Sequence, residues 1–144
     1  MLSRPLGRID RGIARFTNPL LLAGRLLVAS FYLPDGIAKI QEYAATASAM
    51  ESHGLPGLLL PPVILLEIVG PIFMALGFLT RLTCLALAVF SVVANVMFNA
   101  GSTDQAVQYL YAAEFAVVGG FLAFMAVGAG DWSIDARLKR RTSA

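Results

Sequence analysis

LLLPPVILLEIVGPIFMALGFL, residues 58–79, is apolar throughout except for one carboxylate, Glu67, near its middle. About 20 such residues, rising about 1.5 Å each, cross the hydrocarbon core of a bilayer. The stretch therefore reads as a transmembrane helix, with an acid placed where a charge is expensive. Working outward, residues 19–38, 82–100 and 106–129 have the same length and character. The predicted fold is all-α: an integral membrane bundle of four transmembrane helices.

The composition points the same way. The chain has 144 residues, 58% hydrophobic and 14% charged, with a mean hydropathy of +0.73. A soluble domain is about 45–50% apolar and about 25% charged, so the expected partner is the lipid bilayer and not nucleic acid. A single cysteine, Cys84, excludes an internal disulfide and a C-x-x-C redox pair. A single histidine, His53, excludes two-histidine haem ligation, and no metal site is expected. A cleaved signal peptide is disfavoured despite the small residues Ala45-Thr46-Ala47. Arg25 would interrupt its apolar region, and Asp35, Lys39 and Glu42 would precede the cut.

Residues 1–18 form a basic N-terminal segment, residues 19–130 the membrane domain and residues 131–144 a basic tail. Basic residues set orientation. Arg4, Arg8, Arg11, Arg15, Arg81, Arg137, Lys139, Arg140 and Arg141 flank one side, against Lys39 alone on the other. Both termini are thus expected in the cytoplasm. Leu6, Ile9, Ile13 and Phe16 recur at helical spacing, which suggests a short interfacial helix, with a frayed tail as the plain alternative. Trp132 reads as an interface anchor and Ser133 as the N-cap of a tail helix. The first loop reads as helical from about Glu42, stopping at His53-Gly54.

Depths follow from the rise per residue: Arg25 about 9 Å from the cytoplasmic end, Glu67 about 18 Å, Asn95 about 20 Å, Glu114 about 22 Å, Asp35 about 24 Å and Asn99 about 26 Å. Three helices therefore bring Glu67, Asn95 and Glu114 to one level, and a polar cluster inside the bundle is expected. Side chains lean toward a helix N-terminus, so Lys39 should pair with Asp35 one turn below, while Arg25 leans toward the cytoplasm and Glu67 away from it. Glu67, Gly70, Met74 and Gly77 share a face, and Gly119-Gly120 offers a second site for close helix approach. Pro34 and Pro71 should kink their spans.

Each residue also has a plainer reading. Glu67 would hold helix order through a structural hydrogen bond. Asn95 would be interhelical glue, and Arg25 would snorkel to headgroups. Tyr109 and Tyr111 would belong to an aromatic belt. Cys84 would be a small core residue and His53 a loop residue.

Several pieces, taken in order and spacing, resemble the DoxX family of small four-helix membrane proteins. They are LLLAGRLLVASFYL at 20–33 with Arg25, PDGIAKI at 34–40 with Gly36 and Lys39, HGLP at 53–56, and LLEIVGPIFMALGFLTRL at 65–82 with Glu67, Gly77, Thr80 and Arg81. GGFLAFMAVGAG at 119–130 and DWSIDARL at 131–138, with Ser133 and Asp135, complete them. The resemblance covers residues 19–138. It implies links to quinone chemistry: relatives include a membrane subunit of thiosulfate:quinone oxidoreductase and quinol oxidase subunits, and others accompany redox-stress proteins. Many relatives have a His where this chain has Asn99, and a Lys-Asn pair where it has Ala113-Glu114.

The expected function is a quinone-linked redox subunit of the bacterial inner membrane. Glu67 and Glu114 would relay protons. Asn95, Asn99, Arg25, Lys39 and Asp35 would line the polar cavity that holds the quinone. With no haem ligands and no cysteine pair, a partner protein or a bound flavin would carry the redox centre, and a chain this small suits a homo-oligomer. The rival readings are a non-catalytic scaffold or assembly factor, and a small-molecule carrier whose acid-lined cavity suits a cationic solute.

Overall fold

The computed structural model describes residues 12–142. Leu6 and Ile9 of the expected interfacial helix lie outside the described residues, as do Arg4, Arg8 and Arg11. The described chain is helical: α1 (Thr17–Gln41), α2 (Tyr43–Ser52), a 3-10 turn (Gly57–Leu59), α3 (Leu60–Leu76), α4 (Thr80–Asn99), α5 (Gln105–Val127) and α6 (Ile134–Thr142). Four of these are long and apolar enough to cross a membrane: α1, α3 with its 3-10 lead, α4 and α5.

Each of the four is a membrane helix by what it exposes. At most 33% of the residues in a span are buried, and Leu26, Leu27, Leu65, Leu82, Val89 and Leu122 face outward. An apolar surface of this extent on four long helices suits lipid and not water. The inner faces meet in a small core of Tyr32, Met74, Cys84, Leu87, Phe121 and Phe124. Cys84 is fully buried there, with its thiol 3.5 Å from the Met74 sulfur. Helix α1 packs along α3, α4 along α5, and α3 against α4, whereas α1 and α5 touch little.

Small residues set the closest approach. A Cβ on Gly36 would lie 3.0 Å from Ile68 Cγ1 and 3.1 Å from Glu67 Cβ, and one on Gly70 would lie 2.9 Å from Leu87 Cδ2. Glu67, Gly70 and Met74 are buried along one face of α3, and Gly77 lies just beyond its end. Gly119 and Gly120 behave differently from expectation: a Cβ on either meets nothing within 4 Å. They meet no other described helix, so helical spacing of small residues did not mark a contact here. Pro34 and Pro71 sit inside α1 and α3, and neither helix breaks at them.

The joint between α3 and α4 also differs. The second span extends on paper to Leu79, leaving Thr80 and Arg81 as the linker. In the structure, α3 ends at Leu76 and α4 begins at Thr80. Gly77 (φ +65°) stops α3: its N–H donates to Met74 O at 3.1 Å, and Phe78 N–H donates to Phe73 O at 2.9 Å. Leu79 also takes a left-handed conformation (φ +46°). For a branched residue this is costly and needs an external hold.

Candidate functional site

Two polar assemblies lie at opposite ends of the bundle. The first is at the end carrying both described chain ends, where Asn18 Nδ2 donates to Asp131 Oδ2 at 3.2 Å and Asp131 N–H donates to Asn18 Oδ1 at 2.9 Å. Arg25 is fully buried here. Its Nη1 donates to Ala75 O at 3.2 Å and its Nη2 to Trp132 O at 2.6 Å, while Nε has no hydrogen-bond partner. Arg25 neither snorkels nor meets Glu67. It satisfies carbonyls at the end of α3 and ahead of the tail, which orphan carbonyls require. Asp135 of α6 supplies a compensating charge, and its carboxylate accepts from Leu79 N–H and Thr80 N–H. Ser133 caps α6 as read from the sequence, accepting from Ala136 N–H at 3.1 Å.

The second assembly surrounds a cavity of about 990 Å³ in the other half of the bundle. Helix α1 contributes Phe31, Tyr32, Asp35 and Lys39. Glu42 and α2 cover one side through Ala45, Thr46, Ala49 and Met50. Glu67 comes from α3, Asn95 and Asn99 from α4, and Glu114 from α5. Of the seven candidate residues read from the sequence, Asp35, Lys39, Glu67, Asn95, Asn99 and Glu114 line this cavity. Arg25 is the seventh, and it belongs to the other assembly.

Lys39 joins the helices around this cavity. It is bonded to Asp35 one turn away, as the lean of its side chain implies. It also donates to Glu67 Oε1 at 3.0 Å. Glu67 Oε2 lies 2.8 Å from the same nitrogen, so the carboxylate is ion-paired to Lys39 through both oxygens. Glu67 is 2% exposed. A buried acid with one directed partner is a strong constraint on how α1 and α3 pack.

The neighbouring groups are largely occupied. Asn95 Nδ2 donates to Tyr111 O at 2.9 Å, bridging α4 to α5, and Asn99 Nδ2 donates to Asn95 Oδ1 at 2.8 Å. Asn95 thus serves as interhelical glue in this arrangement. Tyr32 and Ser91 share a hydroxyl–hydroxyl bond of 2.6 Å. Tyr109 is exposed and Tyr111 stacks edge-on against Phe115, both consistent with a belt. His53 lies in the loop against Phe98, and Gly54 (φ +78°) ends α2 beside it.

Sequence reasoning missed three contributors. Tyr32, Glu42 and the roof formed by α2 carry no charge pattern that marks a cavity. The Lys39–Glu67 pair was partly legible. Lys39 leans back along α1 and Glu67 leans toward the start of α3, so the two side chains lean toward one another.

A family model described as DoxX matches residues 20–100. Inner membrane protein YqjF of Escherichia coli (strain K12) is 35% identical over 121 residues, which cover 84% of this chain and 93% of that protein. No solved structure matches the chain significantly.

Proposed function

This chain belongs to the DoxX family and is an integral membrane protein, and from that premise we propose that it is a multi-pass inner-membrane subunit that binds quinone for a partner oxidoreductase. The inner-membrane location follows that of its relative in Escherichia coli, an inner membrane protein. The excess of basic residues at the terminal end supports a cytoplasmic position for that end.

The observation that carries the reading is the 990 Å³ cavity with apolar walls and a Lys39–Glu67 pair inside it. Ligand sites commonly occupy about 300–1,000 Å³ and combine apolar walls with a few placed polar groups. A quinone ring needs donors at its oxygens. Lys39 carries three N–H bonds, and Asp35 and Glu67 engage two of them. The third is available for a carbonyl. Glu67 and Glu114, facing the same space, would exchange protons with that ring. The residues supply binding and proton transfer, and the partner supplies electrons.

The test is a titration of a short-tailed ubiquinone into the detergent-purified chain, beside Glu67→Gln, with lipid extracts of the same preparations analysed for quinone. Saturable binding weakened in Glu67→Gln supports the reading. A folded protein that binds no quinone overturns it.

A further inference from the structure

The polar lining of the cavity is unbalanced. One ammonium, Lys39, faces four carboxylates: Asp35, Glu42, Glu67 and Glu114. Lys39 already serves Asp35 and Glu67. Glu114 makes no hydrogen bond and no ion pair among the described residues, although its charge acts on the same space as those of Asp35 and Lys39. Glu67 is 2% exposed, and both of its oxygens face the Lys39 ammonium, Oε1 at 3.0 Å and Oε2 at 2.8 Å. Four carboxylates therefore face one ammonium, while Asn95 and Asn99 give an N–H to Tyr111 O and Asn95 Oδ1 respectively, and Tyr32 shares its hydroxyl bond with Ser91.

The walls around these acids are aromatic as well as aliphatic: Phe31, Tyr32, Phe90 and Phe98 all line the space. Ring faces attract cations, most strongly away from water. Helices α1 and α5 meet near Gly24–Phe124 and Tyr32–Phe121. Farther along, Phe31 of α1 and Leu110 of α5 both line the cavity and are exposed on the outside of the bundle.

We propose that this cavity binds lipophilic monocations, an ammonium or phosphonium carrying aromatic or alkyl groups, with the charge held between Glu114 and Asp35 and the apolar groups against the aromatic wall. The proposal does not rest on the quinone reading. It needs only the surplus of acid over the single ammonium, the Glu114 carboxylate with no hydrogen bond or ion pair among the described residues, and the apolar enclosure, and charges of opposite sign attract strongly in such surroundings.

The test titrates tetraphenylphosphonium into the full chain in detergent, with protein-free micelles as the blank and triphenylphosphine oxide as an uncharged probe. The expected result is saturable cation binding at least about tenfold tighter than that of the uncharged probe, weakened about tenfold by Glu114→Gln. Equal binding of the two probes, no saturable cation binding, or an unchanged affinity in Glu114→Gln overturns it. Thermal unfolding shows whether that variant folds. If it does not, Asp35→Asn takes its place with the same expected loss, because the Asp35 side chain is 58% exposed and its replacement disturbs little packing. Quinone titration of the same samples separates the two readings: quinone binding without cation preference overturns this inference alone, and cation binding without quinone binding overturns the earlier one alone.

Discussion

Asp135 reaches back 55 residues to cap Thr80, its Oδ2 accepting from the Thr80 N–H at 2.9 Å while Oδ1 accepts from Leu79 N–H at 2.8 Å. A tail helix thus completes the amino end of a transmembrane helix and holds the left-handed Leu79 in place. The same tail accepts from Arg25 through Trp132 O and binds the α3 terminus, Asp135 N–H donating to Gly77 O at 2.9 Å. One end of the bundle is closed by a cap made from four separate segments.

Asp135→Ala should cost about 1–2 kcal/mol, the usual loss for an N-cap carboxylate. Asp135→Asn should cost less, because the amide keeps one acceptor for Leu79 or Thr80. Denaturant unfolding in mixed micelles gives both values. Equal losses in the two variants would show that charge beside Arg25, and not capping, is the main contribution.

Gly77→Ala should be severe. A Cβ there would lie 2.2 Å from Arg25 Nη1 and 2.5 Å from Ser133 Cβ, at a φ of +65°. The backbone conformation alone costs an alanine about 1–2 kcal/mol, and moving Arg25 adds to it. Gly119→Ala, with open space around it, should be neutral or stabilising by up to about 1 kcal/mol. Thermal midpoints of the pair give the contrast. A large loss in Gly119→Ala would show that its face is covered in the working assembly.

Arg25→Lys should destabilise by about 2–4 kcal/mol, since an ammonium cannot span two carbonyls as a planar guanidinium does and leaves a buried acceptor unmet. A thermal midpoint close to that of the unaltered chain would show that water or a shifted lysine restores both bonds. The cavity at the other end should keep its ligand affinity in whatever fraction of the protein folds.

Lys39→Met removes the cation from a buried acid and should cost about 3–5 kcal/mol. Lys39→Met with Glu67→Gln should recover a large part of that loss, because no charge is then left without a partner. A double-mutant cycle on unfolding free energies measures the coupling. Additive effects would mean that Asp35, and not Glu67, is the main partner of Lys39.

The site was legible in outline because burying polar groups in lipid is so costly that each one announces an inward face. That logic placed Glu67, Asn95 and Glu114 at one level, and all three line the cavity. It failed for Arg25, whose depth suggested either the cluster or the headgroups. The carbonyls that claim it, Ala75 O and Trp132 O, come from the end of α3 and the segment ahead of α6, which depth along one helix cannot position. It failed also for Gly119 and Gly120, because spacing shows where a close approach is possible but not whether a neighbour arrives.

The sequence by itself determined the solvent, the number of spans and the pattern of inward polar groups. Length, hydropathy and the cost of intramembrane charge act locally, and each can be read along a single helix. Only the tertiary structure decided that Lys39 serves two acids, that α2 roofs a cavity, and that Asp135 and Trp132 return to close the other end. Those outcomes depend on which helices become neighbours and at what rotation. Packing of many side chains at once sets that arrangement, and it leaves no period or spacing in the chain.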